Sequence, residues 1–269
     1  MRGNQRPKLG QHFLVSPEHQ KKILEVLPLR GSDLVVEVGP GNGAMTGGLA
    51  DRAGQVVAVE LDRELVSDLQ NRFKGQGNVQ IRQGDILNFD LADLCREFQI
   101  QTCFVFGNLP YYITSPFLQR IFGFTSLLSG MGLLLQREVA GRIAAAPGRR
   151  AYGFLSVLAQ YYSCPKVLWR VPPEAFSPPP TVQSAFVEFG FPGKEKIHDI
   201  KERKAFFRFL QGCFREKRKT LVNNLLPILG RKNLTNLLVN LNIDSHIRAE
   251  QLSFEKFFLI FKLLKKTVN

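Results

Sequence analysis

The sequence predicts a doubly wound α/β sheet followed by a small all-helical domain. Three observations carry this. Short apolar runs alternate with helix-spaced segments through residues 34–190. A glycine-rich turn follows the first run, where strands of such sheets hand over to helices. Beyond residue 191 the pattern becomes wholly helical and strongly basic.

The strands come first. LVVEV (34–38), QVVAVE (55–60), VQIRQ (79–83), TCFVFG (102–107) and GLLLQ (132–136) are short, mostly apolar runs, as expected of parallel strands buried on both faces. Segments such as Ala44–Arg52 and Arg63–Phe73 have helical spacing between them. After Tyr152 come a helix, FLSVLAQYY, a strand near KVLWRV, a proline-rich loop, PPEAFSPPPTV, and a last strand, SAFVEFG. The polar segment Phe191–Glu202, with Pro192 and Gly193, marks a boundary, so domains of 1–190 and 191–269 are expected. In the second, Phe206, Phe207, Phe209, Leu210, Cys213 and Phe214 share helical spacing, as do Leu234, Leu237, Leu238 and Leu241. A final helix starts near Phe254, with Ser253 as its cap. About four helices are expected there.

Composition narrows the function. The chain of 269 residues has room for a large domain and a smaller one. It has no apolar run of membrane-spanning length and no apolar stretch of a signal peptide at its start, so a cytoplasmic protein without membrane contact is expected. Four cysteines and four histidines are scattered without metal-ligand spacing, so neither a disulfide framework nor a metal site is expected. The formal net charge is +13, and residues 191–269 hold 17 basic against 7 acidic side chains, or +10. Such an imbalance suits a polyanion, because Lys and Arg bind phosphates with release of counterions. Arg215, Lys217, Arg218 and Lys219 are the candidate RNA-binding cluster.

Three strand ends make one candidate crevice. The first leads into Gly39-Pro40-Gly41-Asn42-Gly43, where glycines let a ligand approach the backbone. This spacing also fits a dinucleotide fingerprint. The second ends in Glu60, 21 residues after Gly39, where a carboxylate can accept from ribose hydroxyls. The third ends in Gly84-Asp85, and Asp85 can accept from an adenine amine. This set resembles the class I S-adenosylmethionine methyltransferases. No G-K-[ST] or G-x-S-x-G occurs, which counts against nucleotide hydrolysis and serine hydrolysis.

The fourth strand end, Asn108-Leu109-Pro110-Tyr111-Tyr112, is the most specific motif. An adenine amine is a weak nucleophile because its lone pair is delocalised into the ring. Asn108 Oδ1 and the Leu109 carbonyl can accept its two N–H bonds and free the lone pair for in-line attack on a sulfonium methyl. Pro110 removes a competing N–H and stiffens the turn. Tyr111 offers a stacking face, and Phe176, in the proline-rich segment, is expected as the opposite wall of an aromatic pocket.

Along nearly its whole length the chain resembles the ribosomal RNA adenine dimethyltransferases, of the bacterial KsgA/RsmA type. The shared segments are Leu9-Gly10-Gln11-His12-Phe13-Leu14, GPGNG, Glu60, Gly84-Asp85, NLPYY, Leu135–Val139, YGFLSV, FSPPPTVQSA, Arg215–Leu221 and Arg248–Ser253. The resemblance implies two methyl transfers to each of two adjacent adenines near the 3′ end of 16S ribosomal RNA, in the immature small subunit. It also implies an amino-terminal lid over S-adenosyl-L-methionine, with His12, Leu14 and Asn108 among the cofactor contacts. His12 stands where the family often has Asn, and Tyr112 has no assigned role. A monomer is expected. Two rivals remain: a macrolide-resistance methyltransferase making the same product on large-subunit RNA, and a ribosome-assembly factor that keeps the fold without activity. A nicotinamide oxidoreductase would leave NLPY unexplained.

Overall fold

A computed structural model describes residues 11–193, 197, 199–227 and 231–268. The chain divides into two compact units, residues 1–140 with 163–193, and residues 141–162 with 194–269. The second differs from the sequence expectation by taking in residues 141–162, which precede the break at 191.

The first unit is built on a seven-stranded sheet. Its strands are β2 (Leu34–Val38), β3 (Gln55–Glu60), β4 (Val79–Gln83), β5 (Cys103–Asn108), β6 (Leu128–Gln136), β7 (Cys164–Val171) and β9 (Ser184–Gly190). Their order is β4-β3-β2-β5-β6-β9-β7. The first five are parallel, while β9 runs antiparallel to both β6 and β7. Strands β2 and β3 are buried almost throughout, which is why they read as unbroken apolar runs. β6 begins four residues earlier than GLLLQ suggests, because Ser129 and Gly130 interrupt the apolar run while the strand continues through a register shift at Ser129.

Helices α1 (Pro17–Val26), α2 (Thr46–Ala50), α3 (Arg63–Arg72), α4 (Leu91–Glu97), α5 (Thr114–Ile121) and α6 (Arg137–Ile143) follow in chain order. Short acceptor side chains open three of them: Ser16 accepts from the His19 N–H, Asp62 from Glu64 and Asp90 from Ala92. α2 is shorter than the expected Ala44–Arg52, since the glycine turn delays it. A second, two-stranded sheet pairs β1 (Phe13–Leu14) antiparallel with β8 (Phe176–Ser177). One core cluster joins Leu14, Ile23, Met45, Leu49, Phe104, Phe106, Phe176 and Phe186.

The second unit is helical: α7 (Phe154–Tyr162), α8 (Ile200–Cys213), α9 (Leu221–Leu225), α10 (Arg231–Asn240) and α11 (Phe254–Val268). Asp199 caps α8 and Ser253 accepts from the Lys256 N–H at the start of α11. Phe206, Leu210 and Cys213 from α8, Leu234 and Leu238 from α10, and Phe257 and Ile260 from α11 are fully buried together. Tyr152, Val157 and Tyr161 join the same cluster, and the Tyr161 hydroxyl accepts from the Ile197 N–H at 3.0 Å. That shared core places residues 141–162 in this unit. Truncating Phe206, with four aromatic partners edge-on or tilted beneath 5.7 Å, would cost about 3–5 kcal/mol.

Candidate active site

β2 and β5 are neighbours in the sheet although two strands separate them in sequence, so chain order reverses between them. At such a switch point the loops leave the carboxyl ends of adjacent strands in opposite directions and open a crevice. The turn after β2 occupies it. Gly39 and Gly41 have φ of 64° and 59°, a left-handed conformation costly for other residues. A Cβ on Gly41 would lie 2.6 Å from two ring carbons of Phe13, so its absence also lets that ring close against the turn.

Glu60 ends β3 and is 3% exposed. Its Oε2 accepts the Gly41 N–H at 3.1 Å, and its Oε1 accepts from Leu61 at 2.9 Å and Asp62 at 3.0 Å. Three backbone donors thus hold a buried carboxylate, the condition for keeping such a group out of water. Asp85, after β4, accepts the Leu87 N–H at 2.9 Å and the Asn88 side-chain amide at 3.1 Å. Each carboxylate keeps acceptor capacity beyond these bonds, since two oxygens offer about four lone-pair directions.

At the end of β5, the Leu109 N–H donates to the Leu134 carbonyl at 3.4 Å, and the Pro110 carbonyl accepts from Ile113 at 3.1 Å. These bonds hold the NLPYY turn between β6 and a single 3₁₀ turn. The Asn108 amide donates through Nδ2 to the His12 carbonyl at 2.8 Å. The His12 ring, for its part, bonds through Nδ1 to the Pro178 carbonyl at 2.7 Å.

These strand ends line one cavity that opens to solvent. Its wall brings together His12, Gly39, Gly41, Glu60, Asp85, Asn108, Leu109 and Pro110, eight residues expected from sequence. Val38, Val59 and Ile86 supply apolar surface between the polar groups. Tyr112 also lines it, with 62% of its surface exposed. The Tyr111 ring lies outside the described side chains, as do Leu9 and Gly10.

Two expected residues sit elsewhere. Phe176 is 3% exposed and packs in the core with Leu14 and Phe106, away from the cavity wall. Its backbone pairs with Leu14, so in this structure it anchors the amino-terminal segment and does not present a stacking face. Leu14 is also buried, and lines a smaller neighbouring cavity with Glu37, Gly39, Asn42 and Asn108. Arg215, Lys217, Arg218 and Lys219 are all exposed in the second unit, in the turn between α8 and α9. Glu216 offsets part of their charge, facing Lys219 at 2.8 Å and Arg215 at 3.6 Å, and the Lys219 hydrogen bond holds its carboxyl below the usual range. Lys217 donates to the Arg150 carbonyl.

Glu37 is the residue that sequence reasoning missed. It is 2% exposed, and burial pushes its carboxyl up to about 7, opposed by a hydrogen bond from Thr46 and reinforced by the charge of Glu60. The signal was available: an acid inside LVVEV is out of place in a strand buried on both faces unless it faces a polar site.

The family described as "Ribosomal RNA adenine dimethylase" matches residues 2–266. The Ribosomal RNA small subunit methyltransferase A of Acidobacterium capsulatum is 39% identical over 264 residues, covering 98% of this chain and 92% of that protein. The protein of the same name from Pelotomaculum thermopropionicum is 40% identical over 265 residues, covering 94% and 88%. Among solved structures, a dimethyladenosine transferase from Plasmodium falciparum superposes with a TM-score of 0.80 at 23% identity, covering 95% of this chain and 98% of that one. The 23S rRNA methyltransferase ErmE gives 0.71 at 22% identity, covering 94% and 99%. These structural likenesses show a Rossmann-like methyltransferase fold.

Proposed function

The chain belongs to the ribosomal RNA adenine dimethylase family, and from that premise we propose that it dimethylates N6 of two adjacent adenines near the 3′ end of 16S ribosomal RNA. It is an enzyme, a ribosomal RNA adenine dimethyltransferase. The reading extends to S-adenosyl-L-methionine as methyl donor, to the immature small subunit as substrate, and to a monomer acting in the cytoplasm. The observation that carries it is the convergence of Asn108 with Glu60 and Asp85 on one cavity, from three different strand ends.

The residues present fit that cofactor. Two carboxylates, with Val38, Val59 and Ile86 as apolar surface beside them, match ribose hydroxyls and an adenine amine, and the glycine turn leaves backbone open to close approach. Gly39, Gly41, Glu60 and Asp85 would hold it, with Asn108 at its reactive end. When bound, it supplies an electrophilic methyl on a positively charged sulfur.

Everything else falls to the chain. Asn108 Oδ1 and the Leu109 carbonyl accept the two N–H bonds of the target amine, which draws its lone pair out of ring conjugation. Pro110 has no N–H to compete for those acceptors. Methylation would leave that nitrogen cationic, and its extra proton would pass to water. A second transfer to the same nitrogen loses one N–H, so one acceptor then suffices. Rate enhancement comes from positioning and from preorganised acceptors, with no general base before attack.

Mapping dimethyladenosine in cellular RNA with and without the protein tests this reading. Two adjacent dimethyladenosines near the 3′ end of 16S RNA should vanish without it. Their appearance in 23S RNA instead would mark a macrolide-resistance type enzyme, and an unchanged map would mark an assembly factor.

A further inference from the structure

We propose that His12 is a positioning residue for Asn108: its ring fastens the amino-terminal segment to Pro178, and its carbonyl holds the Asn108 amide so that Oδ1 is left for the target amine. This rests on the catalytic role given to Asn108 above.

The atoms admit one assignment. A carbonyl oxygen only accepts, so the nitrogen of the Asn108 amide must face His12, at 2.8 Å. For the same reason Nδ1 of His12 must carry the proton in its 2.7 Å bond to the Pro178 carbonyl. The two bonds join residues 96 and 166 positions apart, through one residue. Without them the Asn108 amide can turn over, because its terminal torsion is broad and roughly two-fold. Turned over, it offers N–H groups to an amine that needs acceptors.

The segment is secured on the far side of His12 but not by the same means. β1 pairs Phe13 with Ser177 and Leu14 with Phe176. Val15 and Ser16 donate to the Ala175 carbonyl at 2.8 and 3.2 Å, and Gln20 donates to the Leu14 carbonyl at 2.9 Å. His12 lies just before this pairing, and its ring bond to Pro178 is a side-chain constraint on the direction of its carbonyl. The ring thus ties the peptide that faces Asn108 to the Pro178 loop.

His12→Ala and His12→Asn test this in the full-length enzyme. His12→Ala should lower kcat on small subunits about fivefold, the scale of one neutral hydrogen bond, with the Kd for S-adenosylhomocysteine changed less than twofold. His12→Asn, whose amide can donate near the position of Nδ1, should restore the rate. In an Asn108→Ala background, His12→Ala should cause no further loss. The Nδ2 protons of Asn108 should lose their hydrogen-bonded NMR shift in His12→Ala and regain it in His12→Asn, a readout that needs no turnover. A rise in Kd with kcat intact would make His12 a cofactor contact and overturn the proposal. So would losses that multiply in the double variant, or an Asn108 amide signal unmoved by His12→Ala. A wild-type enzyme that methylates no ribosomal RNA would overturn the function given to Asn108 and leave the NMR result standing.

Discussion

The Thr46 hydroxyl donates to Glu37 Oε2 at 2.6 Å, and neither residue exposes more than 2% of its surface. The bond stabilises the ionised form of Glu37, yet burial outweighs it and the charge of Glu60 adds to the burden, so the carboxyl is pushed up to about 7. A raised acid is a destabilising group once ionised.

Stability should therefore fall as pH rises from about 4.5 to 7, where the native state holds a proton the unfolded chain has lost. Glu37→Gln keeps an acceptor for Thr46 and carries no charge. It should stabilise the fold at pH 8 by up to about 3 kcal/mol and make little difference near pH 4.5. Urea unfolding of both proteins at the two pH values measures this. An equal difference at both would mean that Glu37 does not titrate in this range.

Glu60 serves the turn and the ligand together. Glu60→Ala should weaken S-adenosylhomocysteine binding by about 1.5–3 kcal/mol, the range for hydrogen bonds to a charged group. It also strands three backbone donors, so calorimetry should be read beside a thermal melt. Glu60→Gln, which retains an acceptor, should lose less. Unchanged affinity in a folded Glu60→Ala protein would move the ribose contact elsewhere.

Asn108→Ala removes an acceptor from the reacting nitrogen without emptying the cofactor crevice. Turnover should drop by about 10²–10³, with cofactor and RNA affinities close to those of the wild type. Single-turnover methylation of small subunits reports on this step directly. Wild-type rates would show that the amine is activated by other groups.

The basic turn between α8 and α9 should contact phosphates. Among the described residues Arg218 has no carboxylate partner, whereas Lys219 and Arg215 share Glu216. Replacing Lys217 and Arg218 by Glu should weaken binding to immature small subunits and flatten its salt dependence, by roughly one unit of slope for each lost contact. Phosphate contacts position without reading bases, so binding to unrelated RNA should weaken in parallel. An unaltered salt slope would leave the turn a solvated surface.

Most of the fold and the polar half of the site were legible because they are local. A strand buried on both faces must be apolar at nearly every position, so LVVEV and QVVAVE declare themselves. The residues at strand ends are set by where those runs stop, which placed Gly39, Glu60, Asp85 and Asn108 on one rim before any contact was known. Residues 141–162 could not be allotted in the same way. Their helical spacing shows an apolar face, but the partner of that face is chosen by packing, and Tyr152 and Tyr161 find theirs with Phe214 and Phe207 in the second unit. Phe176 likewise reads as an aromatic beside prolines, and only its pairing with Leu14 turns the ring into the core. The bonds joining His12 to Pro178 and Asn108 lie further still from any local signal. They join the end of β5 to two segments remote from it in sequence, and the β1–β8 pairing that sets Phe13 against Ser177 is what brings His12 beside Pro178.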